Sequence, residues 1–362
     1  MIDEEYGQRG RRVAAAEIIR NISLFEGLAP SEIEGVLSVC ERVQFEPGAC
    51  LTRQGQPADS AIILESGSVE VTTRLPGGGE AAVAALGPGS VIGEMALLDS
   101  GSRSATVVAR EPAAGYFLER DGFHMLLAQR NHAAFTIQAR VTRTLCARLR
   151  DLNARIVASD APERVAPAAD AAVASSAPRE RGNPSFDLGA FLPVLPLFRS
   201  FSASEIQSVA DLAQVMELGR GQVLFGEGDA SSACYVIVRG AVEVTGVHKG
   251  LRHRVGVLGP GRLCGLNALI EGRPHSMSAV TRERATLLEL GKAAFERLHA
   301  GQDRLAAKFQ GAIAQELLQA LARTNNHLTR LISQSRIRGG RKDRKQAEEL
   351  QHALAVEDCR TA

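Results

Sequence analysis

The spacing of apolar residues changes twice along the first half of the chain, from helix to strand and back. Residues Val13 to Asn21 have helical spacing, and Ser31 with Glu34 predicts a capping box at the start of a second helix. From Phe45 to Val107 the apolar residues fall in short runs separated by glycines, and the helical period returns from Asn131 to about Ile156. Short strands between glycine turns, flanked by helices, predict a jelly-roll-like β-barrel.

The same order of signals recurs in the second half of the chain. The offset between the two copies is constant at first and shortens by one residue after the third glycine landmark. An ordered series of this kind predicts two tandem copies of one mainly β domain, each with N-terminal helices and a C-terminal helix. The matching landmarks are Gly48 and Gly221, Gly55 and Gly228, Gly67 and Gly240, and Gly87-Pro88-Gly89 and Gly259-Pro260-Gly261.

Composition changes mark the expected domain limits. We predict a first domain over residues 1–156 and a second over 188–336. Residues 157–187 are rich in Ala, Pro and Ser with few large apolar side chains, which predicts a flexible linker. Residues 337–362 are basic and then mixed in charge, and we expect them to be disordered.

The overall composition narrows the class of protein. Forty-two basic residues nearly balance 41 acidic ones, which argues against a mainly nucleic-acid-binding chain. No run of eighteen apolar residues and no apolar signal core at the N-terminus occurs, so we expect no membrane span and a cytoplasmic location. The six cysteines contain no C-x-x-C pair, which predicts thiols in a reducing compartment and no metal site.

One stretch of the first domain combines the groups that a small anionic ligand with hydroxyls requires. Gly93 allows close approach of the backbone, and the short apolar turn from Met95 to Leu98 presents N–H groups to an anion. Arg103 supplies a planar fork that matches two phosphate oxygens. Glu94 would be repelled by a phosphate, so we expect it to accept hydrogen bonds from hydroxyls such as those of a ribose.

This stretch resembles the phosphate-binding cassette of cyclic nucleotide-binding domains. The resemblance implies a cyclic nucleotide as ligand, with the family favouring cAMP over cGMP, and implies no further cofactor. The family pattern is glycine, glutamate, an aliphatic residue, alanine and leucine, then a loop and an arginine followed by two small residues. The candidate ligand-binding residues are Gly93, Glu94, Met95, Ala96, Arg103, Ser104 and Ala105.

The second copy of this stretch lacks both polar anchors. Leu266 stands at the position of the glutamate, and His275 stands at the position of the arginine. We expect a degenerate copy that is kept for structure or for dimerisation. The alternative is a different ligand, with Arg273 or a protonated His275 supplying the charge.

Both barrels are followed by helices with alternating three- and four-residue apolar steps. Such a seam predicts helix pairing, between two subunits of a homodimer or between the two halves, and the alternative is packing on the helix's own barrel. Gln138 or Thr142 is a candidate contact to the base of the ligand. The seams are Thr142, Leu145, Leu149, Leu152 and Ile156 in the first helix, and Leu318, Leu321, Asn325, Leu328 and Ile332 in the second.

No output module or enzyme motif is recognisable in the sequence. The tail beyond Ile337 has no winged helix-turn-helix pattern, and its basic cluster is more typical of a solvated tail than of a nucleic-acid contact. Tandem domains of this kind resemble the regulatory subunits of cAMP-dependent kinases, and Arg11-Arg12-Val13-Ala14 fits their inhibitory Arg-Arg-x-Ala segment. We expect a non-enzymatic receptor that signals to a protein partner by moving its C-terminal helix. The alternatives are a scaffold or kinase-regulatory protein without ligand control, and a relative of transcription regulators that lacks a DNA-binding domain.

Overall fold

A computed structural model describes residues 16–17, 19–74, 80–98, 101–159, 180–181 and 188–338 of the chain. The chain forms two compact units, which divide between Val141 and Thr142. This division falls inside a helix and earlier than residue 156, where the sequence places the end of the first domain. The limits 1–156 and 188–336 therefore stay predictions.

The first unit holds one short helix, an antiparallel barrel and two following helices. Its elements are α1 (Pro30–Leu37), β1 (Glu41–Phe45), β2 (Cys50–Thr52), β3 (Ser60–Ser66), β4 (Val69–Arg74), β5 (Glu80–Leu86), β6 (Val91–Ile92), a 3₁₀ turn (Glu94–Leu97), β7 (Thr106–Ala109), β8 (Ala113–Glu119), α2 (Arg120–Ala128) and α3 (His132–Ala158). The unit boundary lies within α3.

The start of α1 differs from the prediction of a Ser31–Glu34 capping box. The helix begins at Pro30, and the carboxylate of Glu32 accepts a hydrogen bond from the Ala29 N–H at 2.7 Å. Proline favours the first helical position because its φ is already helical and no partner is needed for the missing N–H. The predicted capping box is therefore wrong by two residues, and of the earlier predicted helix only residues 16–17 and 19–21 are described.

Two four-stranded antiparallel sheets form the first barrel, in the orders β1-β8-β3-β6 and β2-β7-β4-β5. Strand β3 pairs with β8 and β6, which places the start of the cassette beside the middle of β3. Alternate residues of both sheets fill the space between them, as the period of two requires. The buried core residues are Ile62, Leu64, Val69, Val71, Ile92, Ala105, Val107, Ala109 and Ala113.

The second unit begins with the C-terminal half of α3 and repeats the barrel. Its sheets have the orders β15-β12-β17-β10-β9 and β11-β16-β13-β14. The elements are β9 (Glu180–Arg181), α4 (Leu188–Phe191), 3₁₀ turns at Leu192–Val194 and Pro196–Phe198, α5 (Ala203–Asp211), β10 (Gln214–Leu218), β11 (Val223–Phe225), β12 (Ala233–Arg239), β13 (Val242–His248), β14 (Leu251–Leu258), β15 (Leu263–Cys264), α6 (Leu266–Glu271), β16 (Ser278–Thr281), β17 (Ala285–Gly291), α7 (Lys292–His299) and α8 (Arg304–Arg338).

Parts of the predicted linker and tail are ordered elements. Residues 157 and 158 end α3, and Glu180–Arg181 forms a short strand that pairs with β10. Helix α8 continues to Arg338, so the first two residues of the predicted tail are helical. The remaining residues of both segments, and the Arg11-Arg12-Val13-Ala14 motif, lie outside the described residues.

The structure describes the helices and five of the six cysteines on which the expectations about membrane spans and thiols depend. Within the described ranges, no helix is long and apolar enough to cross a membrane. Cys50, Cys146, Cys234 and Cys264 are free thiols, and burial raises the pKa of Cys264 to about 12. A thiol with so high a pKa is inert near neutrality.

The glycine landmarks of the two barrels adopt the same left-handed backbone conformation. Gly67 has φ +84° and Gly240 has φ +85°. A Cβ on Gly67 would lie within 2.7 Å of Ala113, the first residue of β8, and a Cβ on Gly240 would lie within 2.9 Å of Ala285, the first residue of β17. Gly48 and Gly221 are also left-handed, but a Cβ there would meet no atom within 4 Å. The left-handed backbone therefore favours glycine at all four positions. Close packing excludes a larger residue only at Gly67 and Gly240.

We predict that Gly67→Ala destabilises the chain more than Gly48→Ala does. Both substitutions force alanine into a left-handed conformation, at about 1–2 kcal/mol each. At position 67 the new methyl group also collides with the backbone of Pro112 and Ala113, which adds about 1–3 kcal/mol. Urea denaturation of the two variants measures the difference, and equal losses would show that the close approach at Gly67 is not a constraint.

Candidate functional site

The cassette of the first barrel begins where β6 ends. Gly93 is left-handed at φ +75° and ψ 32°, and a single 3₁₀ turn from Glu94 to Leu97 follows it. The Ala96 N–H donates to the Gly93 carbonyl at 3.0 Å, and the Leu98 N–H donates to the Met95 carbonyl at 3.1 Å. The glycine thus turns the chain from the strand directly into the short turn that the sequence predicts.

Arg103 is held in place by strand β3. Its Nη1 donates to the Ser60 carbonyl at 2.6 Å, its Nη2 donates to the Ser60 Oγ at 2.7 Å, and Asp59 Oδ1 lies 3.4 Å from Nη2. The side chain is 9% exposed. Burial lowers the pKa of the guanidinium and the Asp59 carboxylate opposes that change, so the group remains charged at neutral pH.

The two ends of the cassette meet at Gly93. A Cβ on this glycine would collide with Nη1 of Arg103 and would lie 3.2 Å from the Ser60 carbonyl oxygen. Any other residue would therefore displace the guanidinium. The close approach gives Gly93 a second function besides its left-handed backbone.

The remaining predicted residues differ in burial. Glu94, Ala96 and Ala105 are buried, at 8%, 4% and 2% exposure, whereas Met95 is half-buried and Ser104 is exposed. Arg103 and Gly93 are in direct proximity, and Glu94 follows Gly93 at the start of the turn. The assignment of these side chains to a ligand stays a prediction.

The two residues that position Arg103 have no signature in the sequence. Ser60 precedes Arg103 by 43 residues and reaches it because β3 lies beside β6. Serine after aspartate is common in loops, so the local pattern gives no reason to single out Asp59-Ser60. Strand order, and not motif spacing, reveals the pair.

The seam of α3 is buried by the chain itself. Thr142, Leu145, Leu149, Leu152 and Ile156 are each 8% exposed or less, within the second unit. The folded chain therefore already covers most of the surface of this seam. In α8, Leu328 is buried while Leu318, Leu321 and Asn325 are half-buried. Homodimerisation, and contact of Gln138 or Thr142 with a base, stay predictions.

The cassette of the second barrel keeps the backbone of the first. Gly265 is left-handed at φ +80°. The His275 N–H donates to the Asp229 carbonyl at 2.9 Å, as the Arg103 N–H donates to Gln56 at 2.8 Å. The Gly228 N–H donates to the His275 carbonyl at 2.8 Å, as Gly55 does to Arg103 at 2.9 Å. His275 therefore occupies the backbone position of Arg103.

The His275 side chain occupies the space beside the cassette glycine. A Cβ on Gly265 would lie 3.4 Å from the imidazole Cε1, and the ring stacks on Phe225 with 3.8 Å between centroids. Burial lowers the pKa of His275, although the Asp229 carboxylate opposes the change. A neutral imidazole does not replace a guanidinium as an anion partner, and Arg273 is exposed.

Helix α3 is bound to the second cassette. Arg150 Nε donates to Glu271 Oε2 at 2.7 Å, and both Nη atoms lie 3.2 Å from the Pro274 carbonyl oxygen. Arg143 Nη2 donates to the Glu271 carbonyl at 3.2 Å. Because Arg150 and Glu271 are 16% and 4% exposed, this pair is a buried constraint on the orientation of α3.

Each barrel thus has a left-handed glycine after a short strand, followed by a turn or short helix. A loop then brings Arg103 in the first barrel, and His275 in the second, back to that glycine. Both barrels are therefore jelly-roll domains that carry this cassette. Residues 42–130 and 215–302 match the cyclic nucleotide-binding domain. The chain therefore belongs to the cyclic nucleotide-binding domain family, with two tandem domains.

Three curated relatives match different shares of the chain. The acetyltransferase Pat of Mycolicibacterium smegmatis is 39% identical over 115 residues, 32% of this chain and 34% of the relative. A CRP-like cAMP-activated global transcriptional regulator of Mycobacterium tuberculosis is 29% identical over 153 residues, 41% of this chain and 66% of the relative. The cAMP-dependent protein kinase regulatory subunit of Mycosarcoma maydis is 25% identical over 296 residues, 77% of this chain and 47% of the relative.

The chain thus spans about a third to two thirds of the length of these curated relatives. Among solved structures, the regulatory domain of Toxoplasma gondii PKA with cAMP aligns over 87% of this chain and 97% of its own, with 20% identity and a TM-score of 0.32.

We predict that His275 makes the stability of the chain fall at acidic pH. Its pKa is about 6.5 when the chain is unfolded and lower when it is folded, so the unfolded state binds the proton more readily. The part of the folding stability that depends on His275 is therefore fully present above about pH 6.5. It decreases as the pH falls below that value.

Comparison with His275→Phe, which keeps a ring beside Phe225 but does not titrate, isolates this contribution. Denaturant unfolding at pH 7.5, 6.5 and 5.5 should show the wild-type chain losing stability relative to the variant only at the lower values. A difference between the two chains that is independent of pH would contradict the buried, neutral assignment.

Proposed function

We propose that this chain is a non-enzymatic cyclic nucleotide receptor whose first barrel binds cAMP in preference to cGMP. The observation that carries the proposal is the buried, charged Arg103 guanidinium held against the left-handed Gly93. The chain would report ligand occupancy to a protein partner in the cytoplasm. The proposed binding residues are Gly93, Glu94, Met95, Ala96, Arg103, Ser104 and Ala105.

The arginine is already oriented for a ring phosphate. Ser60 fixes two of its nitrogens, and a guanidinium carries five N–H donors, so donors remain for phosphate oxygens. A group held in its binding geometry loses little conformational entropy when the ligand arrives. The small side chains of Ala96 and Ala105 leave room for the ligand to approach the turn.

Glu94 is proposed to bind the sugar. It is buried at the start of the turn, directly after the glycine that contacts Arg103. In its ionised form a carboxylate only accepts hydrogen bonds, which suits the ribose hydroxyl and disfavours the phosphate. The two charged groups thereby fix the orientation of the nucleotide from opposite ends.

The preference for cAMP rests on the relatives. The names of the mycobacterial regulator and of the kinase regulatory subunit both specify cAMP, and neither specifies cGMP. The exposed Ser104 hydroxyl does not discriminate between the two bases. Comparative titration with both nucleotides decides this part of the proposal.

Helix α3 would transmit ligand occupancy to the protein partner. In the first unit, Arg140 of this helix donates to the carbonyls of Ser23 and Glu26, so the helix is tied to the segment before the barrel. A ligand moves the helix only by as much as it prefers one helix position over the other. We propose that ordering of the cassette turn supplies this preference and that a protein partner detects it.

We predict that Arg103→Ala weakens cAMP binding by roughly 100- to 1,000-fold. Leaving a buried phosphate without its partner costs about 3–5 kcal/mol, of which water recovers part. Isothermal titration calorimetry on the full chain measures the loss. Arg110→Ala is the matched control, because Arg110 is 60% exposed and pairs with Glu70 on the same barrel.

The control variant should bind cAMP as the wild-type chain does. Thermal unfolding of both variants separates lost affinity from lost folding, since Arg103 also holds Ser60. Absence of binding heat in the wild-type chain at millimolar cAMP and cGMP would refute the receptor proposal.

We predict that Glu94 confers sensitivity to the ribose 2′-hydroxyl. The wild-type chain should bind 2′-deoxy-cAMP about 10- to 100-fold more weakly than cAMP, because a hydrogen bond to a charged group contributes about 1.5–3 kcal/mol. In Glu94→Ala the two ligands should bind nearly equally. Comparing the two ligands on the two proteins isolates the interaction between Glu94 and the 2′-hydroxyl. If the ratio of the two affinities is the same in Glu94→Ala as in the wild-type chain, Glu94 does not bind the sugar.

A further inference from the structure

The second barrel contains a cavity of about 640 Å³ next to its cassette. Cavities of roughly 300–1,000 Å³ are typical of small-molecule sites. Its walls come from β14, from the second cassette, from α8 and from the C-terminal half of α3. All four belong to the second unit, so the cavity is a property of that unit alone.

Apolar side chains line part of the cavity at the cassette. Leu266, which replaces the acid of the first barrel, is 3% exposed, and Met277 is 8% exposed. His275 stacks on Phe225 and is uncharged at neutral pH because of its burial. The groups that recognise the phosphate and the sugar in the first barrel are thus replaced by apolar surface and an uncharged ring.

Two arginines of the cavity wall, Arg254 and Arg323, already have carboxylate partners. Arg254 pairs with Glu243 of β13. Arg323 Nη2 lies 3.0 Å from Glu316 Oε1, and Arg262 Nη1 lies 2.8 Å from the other oxygen of this carboxylate. Arg330 is exposed, so solvent screens its charge. An anionic ligand would have to compete with these internal pairs.

We propose that the second barrel binds an uncharged, mainly apolar small molecule in this cavity and does not bind a cyclic nucleotide there. Burial of the ligand's apolar surface against Phe225, Leu266 and Met277 provides the affinity. Asn153 of α3 and Thr324 of α8 supply hydrogen-bonding groups that orient it. The proposal is independent of the first barrel and of its ligand.

The test is fluorescence titration of the full chain with N-phenyl-1-naphthylamine, an uncharged apolar probe. Gly256 of β14 lines the cavity, and a Cβ there would meet no atom within 4 Å. Gly256→Leu should therefore fill the cavity without backbone strain and weaken probe binding at least about 10-fold. The matched control is Gly219→Leu, which has equally open surroundings in the same barrel and should leave binding unchanged.

If Gly256→Leu fails to fold, Thr324→Phe reduces the volume of the cavity from the α8 side instead. Circular dichroism and thermal unfolding identify a folded variant. Equal probe binding by the wild-type chain and a folded filling variant would overturn the proposal, as would absence of saturable binding in the wild-type chain.

The charge of the ligand is tested with 8-anilinonaphthalene-1-sulfonate, which adds one sulfonate to the same aromatic frame. We expect at least about 10-fold weaker binding of this anion, since the wall arginines are internally paired. Tighter binding of the sulfonate, or displacement of the uncharged probe by cAMP in the Arg103→Ala variant, whose first barrel should not bind cAMP at the concentrations used, would overturn the proposed ligand class. Calorimetry of Gly256→Leu with cAMP should match the wild-type chain, which separates this result from any failure of the first barrel.

Discussion

The first barrel depends on keeping one guanidinium buried, charged and correctly oriented. An isolated buried charge is strongly unfavourable, and Arg103 is tolerated because Ser60 provides two acceptors and Asp59 a nearby negative charge. The position of Ser60 follows from β3, and the space for the guanidinium follows from the missing side chain of Gly93. The strand order, the left-handed glycine and the arginine thus form one interdependent arrangement, and ligand recognition is proposed to use the donors that it leaves over.

The second barrel shows that the same backbone persists when this arrangement is replaced. Gly265 keeps its left-handed conformation and His275 keeps the backbone hydrogen bonds of Arg103, while its ring stacks on Phe225. The short cassette helix instead supplies Glu271 as the partner of Arg150 in α3. A fold therefore does not define a function, because the two barrels carry different side chains at the corresponding cassette positions.

The sequence predicts the features that are encoded locally and misses those that depend on distant contacts. The barrels, the glycine turns and the cassette turn each follow from spacing and from glycine's backbone freedom, since both are properties of a few adjacent residues. The Asp59-Ser60 pair and the Arg150–Glu271 bond join residues far apart in sequence and become visible only when strands and helices pack. The start of α1 was mispredicted for a different reason, because Pro30 determines the first turn more strongly than Ser31 does.

Helix α3 links the two ligand proposals thermodynamically. Its N-terminal half contains Arg140, which is tied to the segment before the first barrel, and its C-terminal half contributes Leu149 and Asn153 to the cavity of the second unit. If cyclic nucleotide biases the position of this helix, and an occupant of the cavity contacts the same helix, then each ligand alters the affinity for the other by an equal factor. The buried Arg150–Glu271 pair makes such coupling sensitive to small displacements, because a displaced helix would leave Glu271 buried without its partner. If both proposals hold, the second barrel would contribute to the nucleotide response without a phosphate anchor, because its occupant would change the free energy that the first ligand needs to shift α3.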